Sequence, residues 1–457
     1  MKLNIIFPIK THLHIFQLEE YKPLRFLNWY RNNLFKRKLE QKRELVYTNK
    51  VKLILALAFI WWLTILGVFV FSSPLAGIVV SLLLASQPYL LFFMAIATLW
   101  PYEYLNKLRI KQKTRKKINN LPNLKVIGIT GSYAKTSVKE ILYQILSTKY
   151  KTLRTPESYN TWLGVAKVVD YELEHRYEMF ICEMGAYKKG EISEICDMVK
   201  PDYGILTGIT YQHLARFGSL KNIVSAKFEL VEAVNNLKRI VFNLENKNIN
   251  AEIKKRNYKV SKPKIKLVSL KLTKNGMLLK IVIDKNTYSI TANLFGEAQA
   301  QNICLASEMA LKLGMKPKEV IKALNNLKPF SNRFIVKKLG NTRIVDNTYS
   351  SNLESFKQTI KTAKSISGRK VLITPGIVEL GNKESSVHKK LGALAKDSFD
   401  QIVLVGKSRR TEALKQASGK KSIFISDNKQ DYQKYIQKYV DEKYDWIFLE
   451  NDLTDNY

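Results

Sequence analysis

Hydrophobic positions along this chain fall into two regimes. From Leu53 to Trp100 no charged residue occurs in 48 positions, and the run is broken at Ser72-Ser73-Pro74 into Leu53–Phe71 (53–71) and Leu75–Ile96 (75–96). Each piece is close to the ~20 residues that a helix needs to cross ~30 Å of hydrocarbon. Two such helices joined by a very short turn predict a transmembrane hairpin; a buried pair in a soluble core would keep some polar face. The segment begins too late and runs too long for a cleavable signal peptide.

After the basic linker Lys111–Lys117 the pattern changes to short β-rich runs alternating with longer amphipathic stretches. Val126–Thr130, Met179–Met184, Tyr203–Thr207 and Arg239–Asn243 read as buried strands, and Thr136–Thr148 and Leu220–Asn236 as helices. Such alternation implies an α/β domain, a mostly parallel sheet covered by helices. Lys-rich alternation in Lys264–Leu272, Met277–Ile283 and Ser289–Leu294 reads as an antiparallel β insertion. A helix at Ala298–Leu313 follows, then a second, Rossmann-like α/β unit with strands near Arg343–Asp346, Val371–Thr374, Gln401–Val405 and Trp446–Leu449. The expected organisation is residues 1–120 as basic arm, hairpin and linker, 121–330 as a central P-loop domain, and 331–457 as a C-terminal domain. A length of 457 residues accommodates this.

Charge sharpens the picture. The chain carries 75 Lys+Arg against 39 Asp+Glu, a net +36, which suits phosphates, nucleic acid or an anionic membrane. Residues 1–52 hold 12 basic and 4 acidic side chains (+8), and residues 101–125 hold 8 and 1 (+7). Both hairpin flanks therefore carry the positive signature of the cytoplasmic face, which keeps both large ends in the cytoplasm. Trp61, Trp62 and Trp100 are candidate interfacial anchors, although Trp61 and Trp62 sit mid-span and could pack between helices. Phe16 to Leu39 mixes aromatic and basic residues at roughly helical spacing, as a membrane-surface helix or a solvated one would. Elsewhere the basic excess is spread out rather than interleaved with aromatics on one face, which argues against a nucleic-acid partner. Cys182, Cys196 and Cys304 form no CxxC pair, excluding a disulfide scaffold and a Cys-rich zinc site.

The strongest local signal is Gly128-Ile-Thr-Gly131-Ser132-Tyr133-Ala134-Lys135-Thr136-Ser137, between an expected strand and an expected helix. This is where a phosphate loop belongs: backbone N–H groups at a helix N-terminus meet phosphate oxygens, Lys supplies a point charge and Thr a hydroxyl for Mg²⁺. Ala134 stands where a Gly is expected. Glu183 closes a strand, and His213 follows another; each is a candidate metal ligand with an ordinary structural alternative, a solvated strand-end carboxylate and a locally hydrogen-bonded imidazole.

Together with these, Thr155-Pro156-Glu-Ser-Tyr-Asn160-Thr161, Glu183-Met-Gly185-Ala186, His213 with Phe217-Gly218-Ser219, Ser225-Ala226-Lys227-Phe-Glu229 and Arg333 resemble, in order, the motifs of the Mur ligases, ATP-dependent amide-bond-forming enzymes of bacterial cell-wall synthesis. Asp346-Asn-Thr-Tyr349-Ser-Ser-Asn352, Val378-Glu379-Leu380-Gly381 and His388 are most similar to the branch that adds D-alanyl-D-alanine to UDP-N-acetylmuramoyl-tripeptide. The resemblance covers roughly residues 121–457. It implies transfer of the γ-phosphoryl group of ATP to a carboxylate, giving an acyl phosphate that an amine attacks. Such chemistry needs charge neutralisation above all. Lys135 would hold the β/γ-phosphates, and Thr136 with Glu183 one Mg²⁺ through hard oxygen ligands. The resemblance makes Lys227 a lysine carbamylated by CO₂, which with His213 would serve a second Mg²⁺. It sets Thr155, Asn160 and Thr161 near phosphate or substrate, Asn302 beside the adenine, and Arg333 and Asp346 at the junction to the last domain.

Two departures matter. Ala298 and Gln299 replace His and Asn of the family's adenine-side pattern, and Asn347 replaces an acid. More consequentially, a basic arm and an apolar hairpin stand where that branch has a domain gripping the uridine nucleotide, which raises a lipid-linked or other membrane-attached carboxylate as the substrate. The expected location is the bacterial cytoplasmic membrane, with two spans and the catalytic domains in the cytoplasm. A membrane-anchored P-loop kinase or ATPase is the competing class; it predicts a Walker-B aspartate, whereas the strand here ends Cys182-Glu183-Met184-Gly185.

Overall fold

The computed structural model describes residues 8–19, 21–33, 45–211, 214–273, 276–330, 335–348, 353–377, 380, 383–425 and 429–450. The chain divides into two compact units, residues 1–110 and 111–454.

The first unit is helical: α1 (Ile9–Leu18), α2 (Pro23–Asn33), α3 (Asn49–Ser72), α4 (Pro74–Ser86) and the start of α5 (Tyr89–Asn119). Thr48 caps α3 by accepting from the Val51 N–H at 3.3 Å, and Ser73 with Pro74 opens α4. Among the described residues one helix, Asn49–Phe71, is by itself long and apolar enough to cross a membrane, with mean hydropathy 2.6 and only 11% of its most apolar stretch buried. The second expected span is not one helix. The chain breaks after Ser86, and α4 and α5 meet at 84°. Pro88 explains the break, because it lacks an N–H and drives the residue before it out of the helical region; Gln87 sits at φ −124°, ψ 62°. Of the two roles open to Trp61, the structure supports packing: its indole N–H donates to Thr98 Oγ1 on α5 at 3.0 Å. Phe16–Leu39 is also interrupted, with α1 and α2 flanking a turn and residues 34–39 outside the described set.

In the second unit β1 (Lys125–Thr130), α6 (Lys135–Leu146), β2 (Thr152–Arg154), α7 (Trp162–Tyr171), β3 (Met179–Glu183), α8 (Glu191–Val199), β4 (Tyr203–Leu206), α9 (Leu214–Phe217), α10 (Leu220–Val234) and β5 (Ile240–Phe242) alternate. The five strands form a parallel sheet ordered β2-β3-β1-β4-β5. Central strands covered on both faces read as unbroken apolar runs, as Val126, Ile127 and Ile129 of β1 do. Val138, Ile141, Leu142 and Ile145 line the buried face of α6 at helical spacing. After α11 (Lys247–Lys255), β6 (Ile265–Thr273), β7 (Gly276–Ile283) and β8 (Asn286–Ala292) make the expected antiparallel meander. Met277, Leu279, Ile281 and Ile283 alternate inward and share one core with α6 and with α12 (Glu297–Lys312), which α13 (Pro317–Asn325) follows.

The remaining residues form a six-stranded sheet from β9 (Ile335–Leu339), β10 (Thr342–Asn347), β11 (Lys370–Thr374), β12 (Gln401–Val405), β13 (Ser422–Ile425) and β14 (Trp446–Glu450), with α14 (Leu353–Ser365), α15 (Glu384–Lys396), α16 (Arg409–Ser418) and α17 (Lys429–Asp441) between them. Its order is β13-β12-β11-β14-β10-β9, parallel apart from the edge strand β9. At the end of β14 the buried Glu450 carboxylate accepts from Asn347 Nδ2 at 2.8 Å and from the Thr359 hydroxyl.

His388 on α15 holds the loop that leaves β11. Its Nε2 accepts from the Ile377 N–H at 2.8 Å while Nδ1 faces the Glu384 carbonyl at 2.6 Å, so the ring is neutral with the proton on Nδ1. Burial holds its pKa down to about 4 against the ordinary 6.5, outweighing the bond to the Glu384 carbonyl; the nearby Arg410 charge adds to the depression. Between those values the unfolded chain binds a proton that the native ring refuses, so stability falls as pH drops from 6.5 to 4, by about 3 kcal/mol. Urea titrations across that range should show a shallower pH slope for His388→Leu, at the cost of lower stability at pH 7.

Candidate active site

The phosphate loop joins the C-terminal end of β1, a central strand, to the start of α6, the position at which open α/β sheets bind ligands. Gly131 is required sterically: a Cβ there would lie 2.1 Å from Thr207 Oγ1 and 2.9 Å from the Gly208 carbonyl. The loop is tied to the chain after β4, with the Ser132 N–H donating to the Gly208 carbonyl at 2.6 Å and the Thr207 hydroxyl to the Tyr133 carbonyl at 2.5 Å. Ala134 takes the left-handed backbone, φ 63°, at the cap of α6, a conformation that costs a non-glycine residue about 1 kcal/mol. Lys135 Nζ curls back onto its own loop, donating to the Gly131 carbonyl at 2.9 Å.

Thr136, on the first turn of α6, and Glu183, at the end of β3, are brought together, with the hydroxyl donating to Glu183 Oε1 at 3.1 Å. Register explains the meeting, because Glu183 lies beside Ile129 of β1, just ahead of the loop. Glu183 is 3% exposed. Asn160 Nδ2 donates to the same oxygen at 3.2 Å, and Lys139 Nζ lies 3.4 Å from Oε2. A hydroxyl and a carboxylate at this spacing fit Mg²⁺, which takes one or two carboxylates and completes its shell with water and substrate phosphates. Among the described residues no three His, Cys, Asp or Glu side chains cluster as a metal site.

Lys227, in the middle of α10, is buried. Burial, then the charge of Lys135, lowers its pKa from 10.5 to about 7, against the opposing pull of Glu229 and Glu191. Its Nζ lies 5.8 Å from the centre of the Phe217 ring. Glu229, two residues on, is engaged elsewhere, accepting from the N–H groups of Gly190 at 2.6 Å and Ser193 at 2.9 Å at the start of α8.

Beside the loop lies a cavity of about 530 Å³, walled by Tyr133, Ala134 and Ser137, by Asn246 beyond β5, by Asn302 on α12 and by Asn347 on β10. Its size is that of a small-molecule site. Asn302 lines it, with Nδ2 bonded to Gln299 Oε1 at 3.1 Å. Other expected residues take local roles. Thr155 is buried and its hydroxyl accepts from the Glu183 N–H at 3.0 Å, while Thr161 caps α7 by accepting from the Gly164 N–H at 3.3 Å. Asp346 pairs with Lys337 at 3.0 Å and accepts from Thr348; its neighbour Asn347 is the residue that reaches the cavity. His213 and Arg333 lie outside the described residues.

Lys139 was not foreseen. It is fully buried, donates to the Thr155 carbonyl at 2.7 Å and sits 3.4 Å from both Glu140 and Glu183. Its signal was a charged residue on the apolar face of α6, between Val138 and Ile141. Asn243 and Asn246 were likewise legible only as polar residues following a strand.

Residues 129–310 match the family model described as the Mur ligase middle domain. Over these residues the chain is similar to the Mur ligases. It is 26% identical over 290 residues to the UDP-N-acetylmuramoyl-tripeptide--D-alanyl-D-alanine ligase of Bacillus subtilis (strain 168), covering 62% of this chain and 63% of that protein. Against the ligase of the same name from Escherichia coli (strain K12) it is 26% identical over 305 residues, 65% of this chain and 67% of the relative. The chain thus spans about two thirds of the length of these curated relatives. Its fold is also that of solved Mur ligases. A crystal structure of MurF from Acinetobacter baumannii superposes with TM-score 0.68 at 24% identity, over 76% of this chain and 77% of that one. MurF ligase from Thermotoga maritima in complex with ADP gives 0.68 at 23% identity, over 76% and 80%.

Removing the buried Lys139 ammonium while leaving Glu183 in place should cost about 3–5 kcal/mol. Urea unfolding of Lys139→Met measures this, and Glu183→Gln should cost less in that background than alone if the two groups are coupled.

Proposed function

We propose that this chain is an ATP-dependent ligase that forms an amide bond in the synthesis of peptidoglycan precursors. The observation that carries the reading is the convergence of Thr136 and Glu183 beside the phosphate loop, with a buried lysine of lowered pKa nearby. In the proposed reaction the γ-phosphoryl group of ATP passes to the carboxylate of a muramoyl peptide. The amine of D-alanyl-D-alanine, or a similar one, then attacks the acyl phosphate and expels phosphate through a tetrahedral intermediate. The names of the curated relatives support these substrates, and the ADP in the Thermotoga structure supports the nucleotide.

Each residue has a task in this scheme. Lys135 exchanges its loop carbonyls for the outer phosphates. Thr136 and Glu183 would hold one Mg²⁺, which when bound would supply neutralisation of phosphate charge. With a pKa near 7, Lys227 is substantially an uncharged amine at neutral pH. Its nitrogen lone pair can add to CO₂ and lose a proton to water, giving a carbamate that, with His213, serves a second Mg²⁺. Asn302 faces the adenine, and Thr155, Asn160 and Thr161 support the substrate side. Arg333 and Asp346 act at the junction with the last sheet.

The apolar first unit favours attachment to the bacterial cytoplasmic membrane, with the flanks of +8 and +7 on the cytoplasmic side. It also supports a second reading of the acyl substrate as a lipid-linked precursor. The kinase or ATPase alternative is weaker, because the Mg²⁺ position at the end of β3 is a glutamate that Thr136, Asn160 and Lys139 already orient.

Purified full-length protein should release phosphate from ATP only when both carboxylate and amine are supplied, and Lys135→Ala or Lys227→Ala should each lower that release by about a hundredfold or more. At limiting CO₂ the wild-type rate should fall as pH drops below about 7, where Lys227 becomes protonated, and added bicarbonate should restore it. Wild-type release by both variants would show that the site is misassigned. Parallel assays with UDP-linked and lipid-linked peptides decide the acyl substrate.

A further inference from the structure

We propose that the first unit is a monotopic anchor, in which the α3–α4 hairpin is a wedge that enters the membrane from the cytoplasmic face and ends inside the hydrocarbon. This rests on the membrane attachment proposed above and replaces two crossings with none.

Length is the first argument. α3 has 24 residues, but its early turns belong to a helical platform, because Val51, Ile54 and Ala58 are buried against α1, α2 and α5, and Trp61 is bonded to Thr98 of α5. What projects from the platform is the rest of α3 and the 13 residues of α4, a length of about 20 Å at 1.5 Å per residue, against ~30 Å of hydrocarbon. The α4–α5 elbow fixes where the wedge begins. Gln87 accepts from the Tyr30 hydroxyl of α2 at 3.1 Å, and α5 then turns away at 84°.

The surface chemistry changes at the same level. The platform carries Arg25, Arg31, Lys50 and Lys52, with Trp100 and Tyr104 stacked and exposed on α5. Basic and aromatic side chains of this kind belong among anionic headgroups. The wedge beyond it has no charge, and its sides expose Leu63, Val68, Ile78 and Leu82.

The tip is built for an apolar medium. Phe71 is 96% exposed and Leu75 72% exposed, on either side of Ser72-Ser73-Pro74. Backbone groups in hydrocarbon must find internal partners. At the turn, the Ser73 N–H donates to the Phe69 carbonyl at 2.9 Å, the Gly77 N–H to the Ser73 carbonyl at 3.0 Å and the Ala76 N–H to Ser73 Oγ at 3.5 Å. Gly77 lets the two helices close, since a Cβ there would lie 2.5 Å from Val70 Cγ2.

The test uses full-length Ser73→Cys carrying an environment-sensitive fluorophore, with the wild-type protein, whose Cys182 and Cys196 are buried, as the labelling control. Vesicles of phosphatidylethanolamine and phosphatidylglycerol contain either lipids spin-labelled at graded depths or iodide trapped in the lumen. The protein should float with the vesicles, its fluorophore should be quenched most by labels near the bilayer centre, and lumenal iodide should leave it untouched. In cells, an impermeant maleimide applied outside should label Ser73→Cys about tenfold less than after detergent permeabilisation, since the tip stays in hydrocarbon. Quenching by lumenal iodide, or equal labelling before permeabilisation, would overturn the wedge while leaving membrane attachment intact. Failure to float, with the wedge instead mediating a soluble oligomer of this chain, would overturn both.

Discussion

A carboxylate in a protein interior must be surrounded by donors or lose its charge, and the second unit is organised around meeting that demand at Glu183. The hydroxyl of Thr136 comes from the phosphate loop's helix, the amide of Asn160 from the loop after β2, and the ammonium of Lys139 from the next turn of α6. Thr155 fixes the backbone of the same residue. One anion therefore ties β2, β3 and α6 to the end of β1, and each tie exists only in the observed strand order. The position at which a divalent cation would sit is thus a structural joint as well as a chemical one.

The parts of this fold that were readable in the sequence are those in which packing dictates pattern. β1, β3 and β4 are buried on both faces, so their apolar runs stood out, and the β6–β8 meander was visible because Lys280 and its neighbours alternate with buried positions. β2 escaped because Thr152-Leu153-Arg154 carries a single apolar residue, whereas the equally short β5 is apolar throughout. The break between α4 and α5 had its signal in Gln87-Pro88, but uniform apolar composition masked it: within an uncharged run, hydropathy measures length without reporting direction.

The site was legible where chemistry demands one residue type and obscure where geometry selects among several. Lys135, Thr136 and Glu183 stood out because few side chains suit phosphate and magnesium, and the structure places Thr136 against Glu183. Lys139 was missed because a lysine on a helix is ordinarily solvated, and its burial follows from the turn by which it faces Glu183 rather than from its neighbours in sequence. Asp346 and Asn347 illustrate the period-two rule of strands: adjacent residues face opposite ways, and only one of them reaches the cavity.

The return of Lys135 onto the carbonyl of Gly131 has a further meaning. In that posture the ammonium is already engaged with the carbonyl oxygens of Gly131 and Ser132, its own loop. An arriving phosphate must offer more than the carbonyl it displaces, so weakly charged or singly bonded anions meet a threshold. Anion binding at this loop would accordingly begin with a competition between the ligand and the protein's own backbone.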